Sequence, residues 1–148
     1  MRTVVVGVDE SEGARKAFDW AVAEARAHGA RVVVVHAFQP LSGYYPYSAV
    51  EGQHLRAGIE EETRQAAEAF IKGLLSDVKT HDVEIEPVIA RGRASEALLD
   101  CAKTADVVVV GSRGHGGFTG LLLGSVSQQV VHHAPCPVVV VPRDCEVP

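Results

Sequence analysis

Four valine runs are spread along the chain: Val4-Val5-Val6, Val32-Val33-Val34-Val35, Val107-Val108-Val109-Val110 and Val138-Val139-Val140-Val141. β-Branched side chains favour extended backbone, and an unbroken apolar run suits a strand buried on both faces. Strands of that kind belong to parallel sheets, where a crossover must join each strand to the next. Five strands are expected: Thr3–Val8, Arg31–Phe38, Val83–Ile89, Asp106–Val110 and Pro137–Val141. The third alternates as Val83-Glu84-Ile85-Glu86 and suits a more exposed position, such as an edge.

The stretches between the strands read as helices. Ala14, Ala17, Phe18, Ala21, Val22 and Ala25 recur at helical spacing, with Ser11 placed to cap the start and Gly29 the end. A second helix runs from about Glu51 to Val78, with its stripe at Ala67, Phe70, Ile71, Leu74, Leu75 and Val78. A third carries Ala94, Ala97, Leu98, Cys101 and Ala105, with Ser95 or Arg93 near its start. The fourth is short, from Ser125 to about His133, and Pro135 stops it. Strict alternation of strand and helix specifies an α/β, doubly wound parallel sheet with right-handed crossovers. A length of 148 residues suits one domain, 1–148.

In such sheets a ligand binds beyond the carboxyl ends of the strands, where the strand order reverses. That rule selects Asp9, the stretch Ala37–Gln39, the stretch Ala90–Gly92 and the segment Gly111–Gln129. The irregular stretch Gln39–Gly52 holds all three tyrosines, Tyr44, Tyr45 and Tyr47. It reads either as a surface loop with some packing or as a lid over the ligand side.

Bulk properties narrow the function. A net charge of −5 argues against a nucleic-acid surface. No apolar run approaches the roughly 20 residues of a membrane span, and the first residues lack a signal-peptide layout. Cys101, Cys136 and Cys145 are odd in number and lack metal-site spacing, so reduced thiols in a cytoplasmic protein are expected, with no metal site. His132 and His133 are adjacent on a helix and diverge, which disfavours a shared ion.

Gly111–Gln129 carries six of the 14 glycines. A P-loop would need Gly-Lys, and the chain contains none. The dinucleotide fingerprint G-x-G-x-x-G meets Thr119 where its third glycine belongs, and it follows the fourth strand rather than the first. What remains is Gly111-x-x-Gly114, nine residues, then Gly124-Ser125. Gly124-Ser125 opens the last helix, whose first amides have no internal partner and favour an anion. Val126 offers its amide there, and Ser125 and Ser127 add hydroxyls. The plain alternative is a loose glycine connection with Ser125 as an ordinary cap.

This motif, G-x2-G-x9-G-(S/T) at Gly111, Gly114, Gly124 and Ser125, resembles that of the ATP-binding universal stress proteins. The opening Val4-Val5-Val6-Gly7-Val8-Asp9-Glu10-Ser11 and the closing Ala134-Pro135-Cys136-Pro137-Val138 to Val141 are similar to that family's ends, so the likeness covers essentially the whole chain. The resemblance implies a Rossmann-like sheet with strand order 3-2-1-4-5 and an ATP site, with magnesium able to accompany the nucleotide. It implies that Asp9, after Gly7 and Val8, accepts hydrogen bonds from the ribose and that the Ala37 backbone pairs with the adenine edge. Val110 and Gly111 would line base and ribose. Arg113, Gly114, Gly124, Ser125, Val126 and Ser127 would hold the phosphates.

Several residues keep two readings. Asp9 can also cap the first helix, Arg113 and His115 can be solvated, and Arg91 and Arg93 can attract an anion or only solvate a helix start. No catalytic residue is assigned, because phosphoryl transfer needs charge neutralisation and an oriented nucleophile that no motif here supplies. Slow or absent hydrolysis is expected. The apolar fifth strand would lie at an edge and invite pairing, so a homodimer through Val138–Val141 is expected, unless the tail Arg143–Pro148 covers it. A nucleotide-independent dimeric interaction module is the alternative function. The family's link to stress response names no partner for this chain.

Overall fold

The computed structural model describes residues 2–39, 49–78, 82–114 and 122–147. Strands and helices alternate as expected: β1 (Thr3–Gly7), α1 (Glu12–His28), β2 (Arg31–Phe38), α2 (Ala49–Ser76), β3 (Ile85–Arg91), α3 (Ala94–Ala102), β4 (Val107–Gly111), α4 (Ser125–His133) and β5 (Val138–Val141). All pairings are parallel, in the order β3-β2-β1-β4-β5. The order reverses between β1 and β4, which places the switch point at the centre of the sheet.

Valine parity divides the core. Val4, Val6, Val32, Val34 and Val109 face α1 and α2, where Ala17, Phe18, Ala21, Ile71 and Leu74 are buried. Val5, Val33, Val35, Val108 and Val110 face the other way, against Leu98 and Ala102 of α3 and Val130 of α4. A strand turns alternate side chains to opposite faces, so only unbroken valine can feed both layers. Phe18 is fully buried, and its burial contributes about 2 kcal/mol.

Boundaries shift for local reasons. α1 is capped as expected: Ser11 Oγ accepts from Ala14 N at 3.2 Å, and Gly29 takes the left-handed conformation at φ 62°. β1 stops at Gly7 rather than Val8; the Val8 carbonyl accepts from the His36 ring, and the chain turns at Asp9, whose carboxylate accepts from Ser11 N. β3 begins two residues late, with Val83 buried in the turn before it, and runs on to Arg91. It is an edge strand and carries Pro87, whose missing N–H costs nothing on the outer side. β4 begins after Asp106, whose carboxylate accepts from Thr3 N at 2.7 Å, and β5 begins after Pro137, whose carbonyl accepts from Val108 N at 3.0 Å. α2 begins at Ala49, inside the stretch expected to be irregular, and the three tyrosines lie outside the described residues. α3 ends at Ala102, short of Ala105.

β5 is the other edge. Among the described residues no strand of the tail pairs with that edge. Cys145 and Val147 pack on the α1 face, where Lys16 Nζ donates to the Cys145 carbonyl at 3.0 Å. Among the described residues no helix is long and apolar enough to cross a membrane.

Candidate functional site

A cavity of about 360 Å³ opens at the switch point, between the carboxyl ends of β1 and β4 and the first turns of α3 and α4. It falls in the size range of small-molecule sites. Gly7, Val8, Asp9, Val110, Gly111, Arg113, Gly114, Gly124, Ser125, Val126 and Ser127 all line it. Ala37 is the one expected site residue that does not.

One end of the cavity is polar because of how α4 begins. Gly124 is its N-cap, extended at φ −76° and ψ 173°, and it supplies no capping side chain. The first bond inside the helix runs from Gln128 N to Gly124 O at 2.9 Å. The amides of Ser125, Val126 and Ser127 precede that bond, and all three residues line the cavity. Such amides, with the helix dipole behind them, form a ready anion seat. The Ser127 hydroxyl is not part of it. Ser127 is 2% exposed, and its Oγ lies 2.9 Å from the Ser112 carbonyl and 3.1 Å from that of Gly124. A hydroxyl has one proton to donate, so this side chain braces the loop and leaves only its amide for a ligand.

The motif glycines act through close approach rather than unusual dihedrals. Among the described residues only Gly29 and Gly92 have positive φ. A Cβ on Gly111 would stand 2.9 Å from the Gly13 carbonyl carbon and 3.2 Å from Ala14 N, so the exit of β4 lies flat against the first turn of α1. A Cβ on Gly124 would stand 3.3 Å from Arg113 Cα. Gly124 N donates to the Ser112 carbonyl at 2.7 Å and draws the start of α4 onto the segment leaving β4. The nine-residue spacing is thereby closed in space, although its residues 115–121 lie outside the described residues, His115 included.

Asp9 joins the two halves. Its Oδ1 accepts from Ser11 N at 2.9 Å and from the Ser11 hydroxyl. A Cβ on Gly114 would stand 2.6 Å from its Oδ2, so the carboxylate lies directly over that glycine. Asp9 is therefore not the cap of α1, which is Ser11, but the residue that orients the cap.

The other end of the cavity is apolar. Val35, Ala94, Leu98 and Val110 line it, and a Cβ on Gly7 would meet Leu98 Cδ1 at 2.7 Å. Ala94 and Leu98 had no local signal in the sequence beyond an ordinary helix stripe. Ala37 lies two residues past Val35 on β2, paired with Ala90 of β3. Neither Arg91 nor Arg93 lines the cavity. Arg91 pairs with Glu60 of α2, and Arg93 stands 3.9 Å from Glu96 on the exposed start of α3.

Burial, with the Asp100 and Glu86 carboxylates, pushes the Cys101 thiol up, and burial with Asp106 does the same for Cys136. Both sulfurs are thereby held in the less nucleophilic protonated form. His132 and His133 are exposed, and among the described residues no group of metal-ligating side chains is assembled.

Residues 1–142 match the universal stress protein family. A universal stress protein of Thermus aquaticus is 39% identical over 142 residues, covering 95% of this chain and 98% of its own. One from Mycolicibacterium smegmatis is 35% identical over 147 residues, but this chain, 95% covered, spans only 48% of its length. Among solved structures, universal stress protein UspA of Lactobacillus plantarum superposes with a TM-score of 0.81 at 24% identity, over 95% of this chain and 97% of that one. A universal stress protein of Archaeoglobus fulgidus in complex with dAMP superposes at 0.56 with 25% identity, over 95% and 98% of the two chains. The crystal structure of a universal stress protein in complex with cAMP superposes at 0.59 with 27% identity, over 97% of this chain and 98% of that one. The fold, the closed glycine motif and these relatives agree: the chain belongs to the universal stress protein family.

Proposed function

We propose that this chain is an ATP-binding regulatory protein of the cytoplasm, acting in a stress response, with magnesium able to accompany the nucleotide. The observation that carries the reading is the open start of α4, where the three residues with unbonded first-turn amides line a cavity that Val35, Ala94, Leu98 and Val110 also line. That polarity matches a phosphate chain joined to a base. The relatives bound to dAMP and cAMP support the same ligand class. In this reading Gly7, Val8, Val110 and Gly111 flank base and ribose, Asp9 receives the ribose hydroxyls and the Ala37 backbone meets the adenine edge. Arg113, Gly114 and the amides of Gly124, Ser125, Val126 and Ser127 surround the phosphates.

Hydrolysis is slow or absent. Fixed amides hold the ground state and the transition state alike, which gives affinity without much rate. Asp9, the carboxylate of the lining, already accepts from Ser11.

Two copies pair along the outer edge of β5. Alternation along the strand turns the backbone of Val139 toward β4 and that of Val138 and Val140 outward. Val140→Pro removes an outward N–H and spares the β4 ladder, so it should leave a folded monomer by light scattering. A monomeric wild-type protein at micromolar concentration would overturn the pairing.

Calorimetric titration of ATP and AMP into nucleotide-stripped protein, with and without magnesium, tests the binding. Saturation at one nucleotide per chain is expected. No heat from either, and no adenine nucleotide in an acid extract of untreated protein, would leave a nucleotide-independent interaction module.

A further inference from the structure

The β1–β2 ladder stops one bond short of what its register allows. Gly7 pairs with Val35, and Val8 N donates to the Val35 carbonyl at 2.9 Å. The next bond of a parallel ladder would run from Ala37 N–H to the Val8 carbonyl. It would bring Val8 into β1, and β1 ends at Gly7. The Val8 carbonyl accepts instead from His36 Nδ1 at 2.9 Å. A carbonyl can only accept, so Nδ1 carries the proton whether the ring is neutral or charged. Phe70 of α2 holds the ring in place, with centroids 4.7 Å apart and planes tilted by 51°.

The direction of the Ala37 backbone follows from its neighbours. The Val35 carbonyl faces β1, where it accepts from Val8 N, and the Phe38 carbonyl faces β3, where it accepts from Gly92 N at 2.8 Å. In an extended strand the polar groups of alternate residues face opposite sides. The N–H and C=O of Ala37 therefore face the β1 side, beyond the point where β1 has ended.

We infer that His36 is a positioning residue: by drawing the Val8 carbonyl toward its own ring, out of line with the Ala37 N–H, it keeps the β1–β2 ladder from closing over Ala37, whose backbone donor and acceptor are left to read a nucleobase edge. The ligand half of this inference rests on the nucleotide reading of the cavity. The ladder half does not.

Three variants separate the two halves. His36→Phe keeps a ring against Phe70 and removes the donor, His36→Leu removes both, and His36→Asn places an amide N–H where Nδ1 stood. In ligand-free protein, amide exchange at Ala37 followed by NMR should slow at least about tenfold in the Phe and Leu variants as the ladder closes, and stay fast in the Asn variant. Adenine-nucleotide affinity should fall about tenfold with Phe or Leu and recover with Asn. Affinity for inorganic tripolyphosphate, which reads only the α4 end, should not change. Equal Ala37 exchange in all four proteins would show that the turn at Asp9 alone ends the ladder, and would overturn the inference. So would adenine-nucleotide affinity unchanged by the loss of the donor. A chain that bound no nucleotide would instead overturn the functional reading and Ala37's role in it, while the exchange contrast still decides the ladder.

Discussion

α1 and α4 both begin beside the same cavity, and they begin differently. The start of α1 is closed on itself: Ser11 Oγ accepts from Ala14 N, and Asp9 in turn accepts from Ser11. The start of α4 has glycine where a capping side chain would stand, and the three residues that carry its first amides line the cavity. A capped end contributes to the stability of its own helix, while an uncapped end keeps its donors for something else. The contrast separates the part of the site that is scaffold from the part that is free to hold an anion.

The largest effect is expected where the two starts touch. Gly111→Ala pushes a methyl into the backbone of Gly13 and Ala14, which has no flexible end to yield. It should cost about 3 kcal/mol and lower Tm by roughly 10 °C. A variant that melts with the wild type would show that the start of α1 is not packed on β4 as described. Next comes Ser125→Pro, which removes one open amide of α4. Proline suits the first helical position, and Gly124 already has the extended conformation required before it. ATP affinity should fall tenfold or more, for about 1.5 kcal/mol of charge-assisted hydrogen bond, with Tm little changed. Ser125→Ala, which loses only the hydroxyl, should bind nearly as the wild type does. Unchanged affinity in Ser125→Pro would remove α4 as the anion seat.

Ser11→Ala gives the reciprocal result. It opens the cap of α1 and should cost about 1 kcal/mol in denaturant unfolding, with ATP affinity altered less than the Ser125→Pro variant alters it. A larger loss of affinity than of stability would mean that Asp9 depends on Ser11 to meet the ligand. The smallest effect belongs to the thiols on the α3 and α4 face. Burial raises Cys101 and Cys136, so alkylation at neutral pH should be slower than for free cysteine and climb only above the ordinary thiol range. The sign for stability follows: the folded chain keeps these protons longer than the unfolded one, so their contribution is complete at neutral pH and is lost as pH rises through the folded values. Rapid alkylation at neutral pH would show these sulfurs to be more open than their packing indicates.

Much of the fold was legible because it rests on local periodicity. The valine runs, the Ala14–Ala25 stripe, the Ser11 and Gly29 caps and the limits of α4 all follow from residues within a few turns of one another. The cavity lining was legible in the glycine spacing for the same reason, since glycine is kept where backbones meet. What the glycines touch was not. The contact of Gly111 with Gly13 spans 98 positions, and nothing near either residue announces the other.

Sequence alone determined the alternation of elements, the two-sided burial of the strands and the place in the chain where an anion seat could form. Only the tertiary structure decided that Leu98 and Ala94 line the apolar end, that the Ser127 hydroxyl turns inward to brace the loop, and that His36 takes the carbonyl of Val8. Periodicity is written into neighbouring residues, whereas a bond such as that of His36 to the Val8 carbonyl depends on which carbonyl a distant side chain meets once the sheet has formed.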